Sequence, residues 1–164
     1  EAGVPNLQFQ LLNRNVAVPY LALGNFLPDE WRKIGVTAVN TPVESDQYFE
    51  RLGNGNYDVA IDFNTPVVDD PSLMLAKLVP GAGNNFGKYQ DAVLTDLYEK
   101  QKGELDVTLR KQLVSQFERR VLDQGYIEPL FYAGRTLPIA STVHGWANTP
   151  SYYVGYDLTE MWKD

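Results

Sequence analysis

The order of elements around one glycine-rich turn constrains this chain more than any other feature. In YFERLGNGNYDVAID, residues 48–62, Tyr48, Phe49 and Leu52 fall at helical spacing before the glycines. After them Tyr57, Val59 and Ile61 alternate as a strand does. The order is therefore helix, glycines, strand. Phosphate-binding glycine loops run from strand into helix, because free N–H groups and the positive dipole end sit at a helix N-terminus. Here the glycines meet a C-terminus, where carbonyls point outward and the dipole end is negative. Gly53 or Gly55 then serves as the left-handed residue that ends the helix. The stretch is a helix-to-strand elbow of an α/β domain and not a nucleotide loop.

The rest of the chain repeats that alternation. LQFQLL, Leu7 to Leu12, reads as a strand, and a helix-like segment follows, ending in FLPDEWRKIGV. Pro28 is expected to kink or start a helix there; Trp31 and Ile34 then share a face and Gly35 closes it before the strand VTAVN. In TPVE, Thr41 is a candidate cap, Pro42 suits the first helical position and Glu44 completes a capping box, with Ser45 as a rival cap. Asp70 and Pro71 predict the N-cap and first turn of a short helix ending before Pro80.

Val93, Leu94, Leu97 and Tyr98 form one side of a helix, and Asp106 to Gln124 forms the next. Leu105, Leu109, Leu113, Phe117 and Val121 step by four along a single stripe of the latter, and Gly125 stops it. YIEPLFYA and TLPIAS read as strands joined at Gly134-Arg135. The tail from Gly145 is aromatic, turn-rich and without a clean period. Together these predict an α/β fold with a mixed sheet flanked by helices.

Composition narrows the function. With 164 residues, 44% apolar and 21% charged, the chain has material for one real core. A net charge of −7 and no basic run argue against nucleic acid as a partner. The absence of cysteine excludes disulfides, thiolate metal sites and thiol catalysis. The first residue is Glu1, from which we expect a processed or excised piece of a longer protein.

Candidate sites are few. His144, the single histidine, has no metal-binding companion at ligand spacing, and neither G-x-S-x-G nor H-E-x-x-H occurs. A structural hydrogen bond is its expected role, and neither a catalytic residue nor a cofactor or metal is predicted. Asp69 and Asp70 are adjacent, so their side chains diverge; with Asp70 capping, Asp69 is left at a loop after a strand, where open α/β sheets present residues to ligands. Trp146, Tyr152, Tyr153, Tyr156 and Trp162 serve packing or, alternatively, stacking. Asn84, Asn85 and Phe86 lie in a glycine-flanked loop suited to a polar ligand, though turn chemistry alone also selects asparagine there.

Several motifs in order carry a resemblance: W-R-K-I-G-V, Y-F-E-R-L-G-N-G-N-Y-D-V-A, D-D-P-S-L-M-L, N-N-F-G-K-Y, R-K-Q-L-V-S-Q-F-E-R-R-V-L and Y-I-E-P-L-F-Y. They resemble the C-terminal part of the extracytoplasmic solute-binding proteins of ABC transporters, in the family of oligopeptide, dipeptide and nickel binders.

The resemblance implies one lobe of a two-lobed, type II periplasmic-binding-protein-like fold. It implies no catalysis, a peptide or other small polar ligand, a membrane permease as partner, and a periplasmic or extracellular location, membrane-anchored where no outer membrane exists. Residues 1–143 are the expected lobe, and 144–164 a tail returning to a missing N-terminal lobe; without that lobe, Trp146, Tyr152 and Tyr153 are expected to drive self-association. Ligand contacts are implied for Phe63, Asn64, Thr65, Asp69, Asn84, Asn85 and Phe86. Peptide binders of the family carry a Trp and then an Asp in the first of these loops. Here Asn64 and Val67 stand near those positions, so a free amino group needs Asp69 in their place, or the ligand is an uncharged peptide, sugar or opine-like solute. Nickel is not expected with one histidine and no soft ligand. A ligand-sensing module on the same fold and a fragment of an enzyme are the competing readings.

Overall fold

In the computed structural model, which describes residues 6–64, 68–132, 134, 136–147 and 158–164, the neighbours Leu11 and Leu12 are both buried but in different cores. They lie in β1 (Gln8–Arg14), and successive strand residues face opposite ways. Leu11 packs with Tyr20, Leu27 and Ile61, and Leu12 with Tyr48 and Leu52. A strand apolar on both faces must be covered on both, as in parallel sheets.

The chain divides into two compact units, residues 1–64 with 86–88, and residues 65–85 with 89–164. In the first, β1 is followed by α1 (Ala22–Arg32), β2 (Thr37–Val43), α2 (Ser45–Asn54) and β3 (Val59–Ala60). The three strands form a parallel sheet in the order β2-β1-β3. Leu23, Leu27 and Trp31 of α1 cover the Leu11 face, and Tyr48 and Leu52 of α2 cover the Leu12 face. The elbow is as expected, with Gly55, at φ 71°, as the left-handed residue and Gly53 inside the helix.

Two boundaries differ from expectation. Pro28 does not start a helix; it lies buried inside α1, four residues after Gly24. Thr41 and Pro42 do not open α2, because β2 runs on through them, pairing Asn13 with Pro42 and Arg14 with Val43. Proline is tolerated because β2 is an edge strand, where one row of N–H groups has no ladder partner. Glu44 is the cap residue but its side chain makes no capping bond.

In the second unit α3 (Pro71–Leu75), α4 (Ala92–Gly103) and α5 (Val107–Asp123) are each opened by an aspartate. Asp70, Asp91 and Asp106 accept from backbone N–H groups of the first turns. Leu75, Leu78, Val79, Leu94, Leu97, Phe117 and Val121 form the core. The α5 stripe is buried only in its later turns, with Leu105 and Leu109 exposed, as is Val93 of α4. The early turn of α5 instead faces a polar network: Arg110 binds Asp70, Ser72 and Gln101.

The strands expected over residues 126–133 and 136–141 do not form among the described residues. Leu130, Phe131 and Tyr132 are exposed there, and an apolar run becomes a strand only against a hydrogen-bonding edge. Arg135 of the expected turn lies outside the described residues, as do Tyr152, Tyr153 and Tyr156. The antiparallel pairing that is present joins β4 (Val143–His144) to β5 (Trp162–Lys163). Parallel and antiparallel pairs thus occupy separate sheets of an α/β fold.

Candidate functional site

The C-terminal ends of the parallel strands gather the chemistry of the first unit. From β1 the chain crosses to β2 on one side, then returns to β3 on the other. The switch point between β1 and β3 is where open α/β sheets leave a crevice for ligands. Arg14 ends β1, and Phe63 follows β3.

Arg14 has the same strand parity as Leu12, so it leaves the sheet on the α2 side. One Nη donates to Ser45 Oγ at 2.9 Å and the other to the Tyr20 hydroxyl at 3.4 Å. Its guanidinium carbon lies 4.9 Å from the Tyr20 ring centre, 5.3 Å from Phe49 and 6.0 Å from Phe63. Aromatic faces attract a cation without neutralising it. Both hydrogen-bond partners are hydroxyls, and the buried Nε–H has no acceptor among the described residues. A guanidinium with no carboxylate partner among the described residues offers its two-pronged donor geometry to an anionic group.

Arg14 is not among the residues expected to meet ligand. The signal available was an arginine at the C-terminal end of an alternating strand; its ring of aromatics comes from α2, the β3 loop and the Ala17–Leu21 turn, far apart in sequence.

Of the residues expected to meet ligand, Phe63 joins this corner, edge-on to Tyr20 at 6.5 Å. Asn64 follows it and is exposed; Thr65 lies outside the described residues. Phe86 is half-buried against the Leu12, Tyr48 and Leu52 core. In the second unit Asp69 is exposed and Asn84 half-buried. Asn85 is used within its own loop: Nδ2 donates to the carbonyls of Val79 and Tyr89, and Oδ1 accepts from Tyr89 N, each at 3.0 Å.

Asp70 caps α3 and pairs with Arg110 at 2.8 Å. Hydrogen bonds from Ser72, then from Arg110, hold its carboxyl down at about 2. His144 makes the expected structural contact, 3.1 Å from the Asp164 carboxylate, and stacks on Trp162. Among the described residues no group of three or more His, Cys, Asp or Glu is placed to hold a metal ion. Nor, among them, is any helix long and apolar enough to cross a membrane.

No family model matches the chain. A dipeptide-binding protein of Pseudomonas aeruginosa is 28% identical over 131 residues, 78% of this chain and 25% of its own length. A di/tripeptide-binding protein of the same species, named with the number one, is likewise 28% identical over 131 residues, 24% of its length. The chain is similar in sequence to these bacterial peptide-binding proteins. It spans about a quarter of the length of these relatives.

Solved structures agree on the fold. The murein tripeptide-binding protein MppA of Escherichia coli superposes with a TM-score of 0.69 at 19% identity, over 73% of this chain and 23% of that one. The pheromone receptor PrgZ, whose structure describes peptide binding, gives 0.76 at 19% identity over 97% of this chain and 30% of its own. HbpA2 of Haemophilus parasuis gives 0.78 at 17% identity over 98% and 32%. The fold is that of part of a type II periplasmic-binding-protein-like protein, and the relatives are named as binding proteins.

Proposed function

We propose that this chain is the C-terminal ligand-binding part of an extracytoplasmic solute receptor for an ABC importer, taking short peptides or related small acids without catalysis. Arg14 carries the reading. It is a charged fork at the sheet's switch point, set among Tyr20, Phe49 and Phe63, with hydroxyl partners rather than carboxylates. A ligand carboxylate is the group that such a charged fork favours. The names of the relatives support a peptide as its bearer, and a periplasmic or extracellular location follows from the same kinship.

In this reading Phe63 and Phe86 of the first unit supply apolar walls and Asn64 a polar contact; in the second unit, taken by itself, Thr65, Asp69 and Asn84 are the proposed polar contacts and Asn85 acts through the loop it holds. Asp69 is the proposed partner of a ligand amino group. A membrane permease is the proposed recipient; the superposition on a pheromone receptor supports ligand sensing as a second reading.

The test is a heteronuclear NMR titration of the chain with alanyl-alanine, its C-terminal amide and its N-acetyl derivative. The free acid is expected to shift the Arg14 Nε–Hε signal, with the amide weaker by about tenfold, the size of one charge-assisted hydrogen bond. Equal response to acid and amide would remove the carboxylate reading. Equal response to the N-acetyl form would remove Asp69 as the amine partner.

A further inference from the structure

Asn13 precedes Arg14 in β1 and points to the opposite face, where it is completely buried. A buried amide is costly unless its donors and acceptor are used. Here they are. Nδ2 donates to the Tyr20 carbonyl at 2.8 Å and to Asn40 Oδ1 at 3.2 Å, while Oδ1 accepts from Arg14 N at 2.9 Å.

One side chain therefore ties both ends of the excursion from Arg14 to Tyr20. The two residues it ties are those whose side chains meet, guanidinium over phenol ring. Gly24 makes the arrangement possible: a Cβ there would run into Asn13 Nδ2 and the Asn40 amide. The first turn of α1 is thus seated on two amides where packing alone would seat it on apolar side chains, and amide bonds are directional where apolar contacts are not.

We propose that Asn13, with Gly24 admitting it, is a positioning residue for ligand recognition: it sets the Tyr20 ring over the Arg14 guanidinium so that the fork is held ready for an anion. Its functional weight rests on the carboxylate reading of Arg14 given above. Its structural content does not. Asparagine is required in this account because the site needs a donor toward Tyr20 O and Asn40 and an acceptor toward Arg14 N. Aspartate, of equal size, keeps the acceptor and loses the donor.

The experiment follows the Arg14 Nε–Hε signal and its relaxation in the wild-type chain and in Asn13→Asp, with alanyl-alanine and its amide as probes. In the wild type, Arg14 Nε–Hε is expected to be as rigid as the surrounding backbone; rotational averaging there would overturn the proposal without any variant. In folded Asn13→Asp the signal is expected to become mobile while β1 and α2 resonances stay in place, and the preference for acid over amide to fall by about tenfold. An unchanged Arg14 signal would overturn it.

Should Asn13→Asp fail to fold, Gly24→Ala displaces the same amides from the helix side and is expected to mobilise Arg14 alike. A wild type with a rigid Arg14 but no preference for acid removes the carboxylate reading and leaves the positioning role standing. A purely stabilising role for Asn13 would lower the melting temperature yet leave Arg14 rigid in the folded chain.

Discussion

The Asp91 carboxylate, 3% exposed, accepts Arg120 Nε at 2.8 Å and thereby joins the first turn of α4 to the last turns of α5. The same carboxylate accepts from Val93 N, Leu94 N and the Tyr126 hydroxyl, so every lone pair has a use. Tyr89 extends the network by donating to the Tyr126 carbonyl at 2.6 Å.

Asp91→Ala is expected to cost about 3 kcal/mol, since it removes a helix cap and the partner of a guanidinium together. Burial works against the charge on Asp91, but Arg120, the two amides and Tyr126 outweigh it and hold the carboxyl below its ordinary value. A lowered folded-state value means stability that is present above the unfolded carboxyl value and lost as pH falls through the folded one. Urea unfolding of wild type and variant across the acid range checks both statements; a variant as stable as wild type at neutral pH would contradict them.

The pairing of Asp70 with Arg110 sets a second acid-sensitive term. With its carboxyl held at about 2 against an ordinary 3.8, its contribution is complete above the higher value and disappears as pH drops toward the lower. Because the Asp70 side chain is 36% exposed, solvent screening reduces that contribution to about 1 kcal/mol. Asp70→Asn is expected to flatten the pH dependence of the melting temperature across that window and to leave it unaltered above neutrality.

Gly53 and Gly55 are separated by one residue and predict opposite outcomes. Gly55→Ala places a Cβ at φ 71°, 3.3 Å from Lys88 Nζ, and is expected to cost about 1 kcal/mol. Gly53→Ala fills open space inside α2 and is expected to gain about 0.5 kcal/mol. Thermal unfolding of the pair decides it, and equal shifts would mean that the helix ends elsewhere in solution.

Tyr48 donates its hydroxyl to the Ile61 carbonyl at 2.6 Å from a fully buried position. Burial first, then the Asp62 charge, pushes this phenol well above the ordinary range, so it stays a donor at any working pH. Tyr48→Phe strands that carbonyl and is expected to cost about 1.5 kcal/mol. A loss below a few tenths, measured by urea unfolding, would show that water replaces the hydroxyl there.

Local pattern carried the elements whose cause is local. The alternation of Leu7 to Leu12, the aspartate cap at Asp70 and the glycine stops at Gly55 and Gly125 depend on backbone sterics and nearest-neighbour hydrogen bonds, which a short window of residues contains. Pattern also carried the resemblance, and the relatives found at 28% identity are named as peptide-binding proteins. It did not carry the strands expected after Tyr126, because a strand exists only where an edge receives it, and alternation says nothing about the edge.

The same limit hid Arg14. Its neighbours Tyr20, Ser45, Phe49 and Phe63 come from separate elements, and the sheet order β2-β1-β3 is what brings them to one strand end. Residue type and spacing thus specified helices and turns, since those rest on interactions a few residues long. The position of a charged fork among aromatic rings, and the amide of Asn13 that ties its backbone, depend on how βαβ crossovers wind. That winding is settled by burial of both faces of β1, a property of the packed chain.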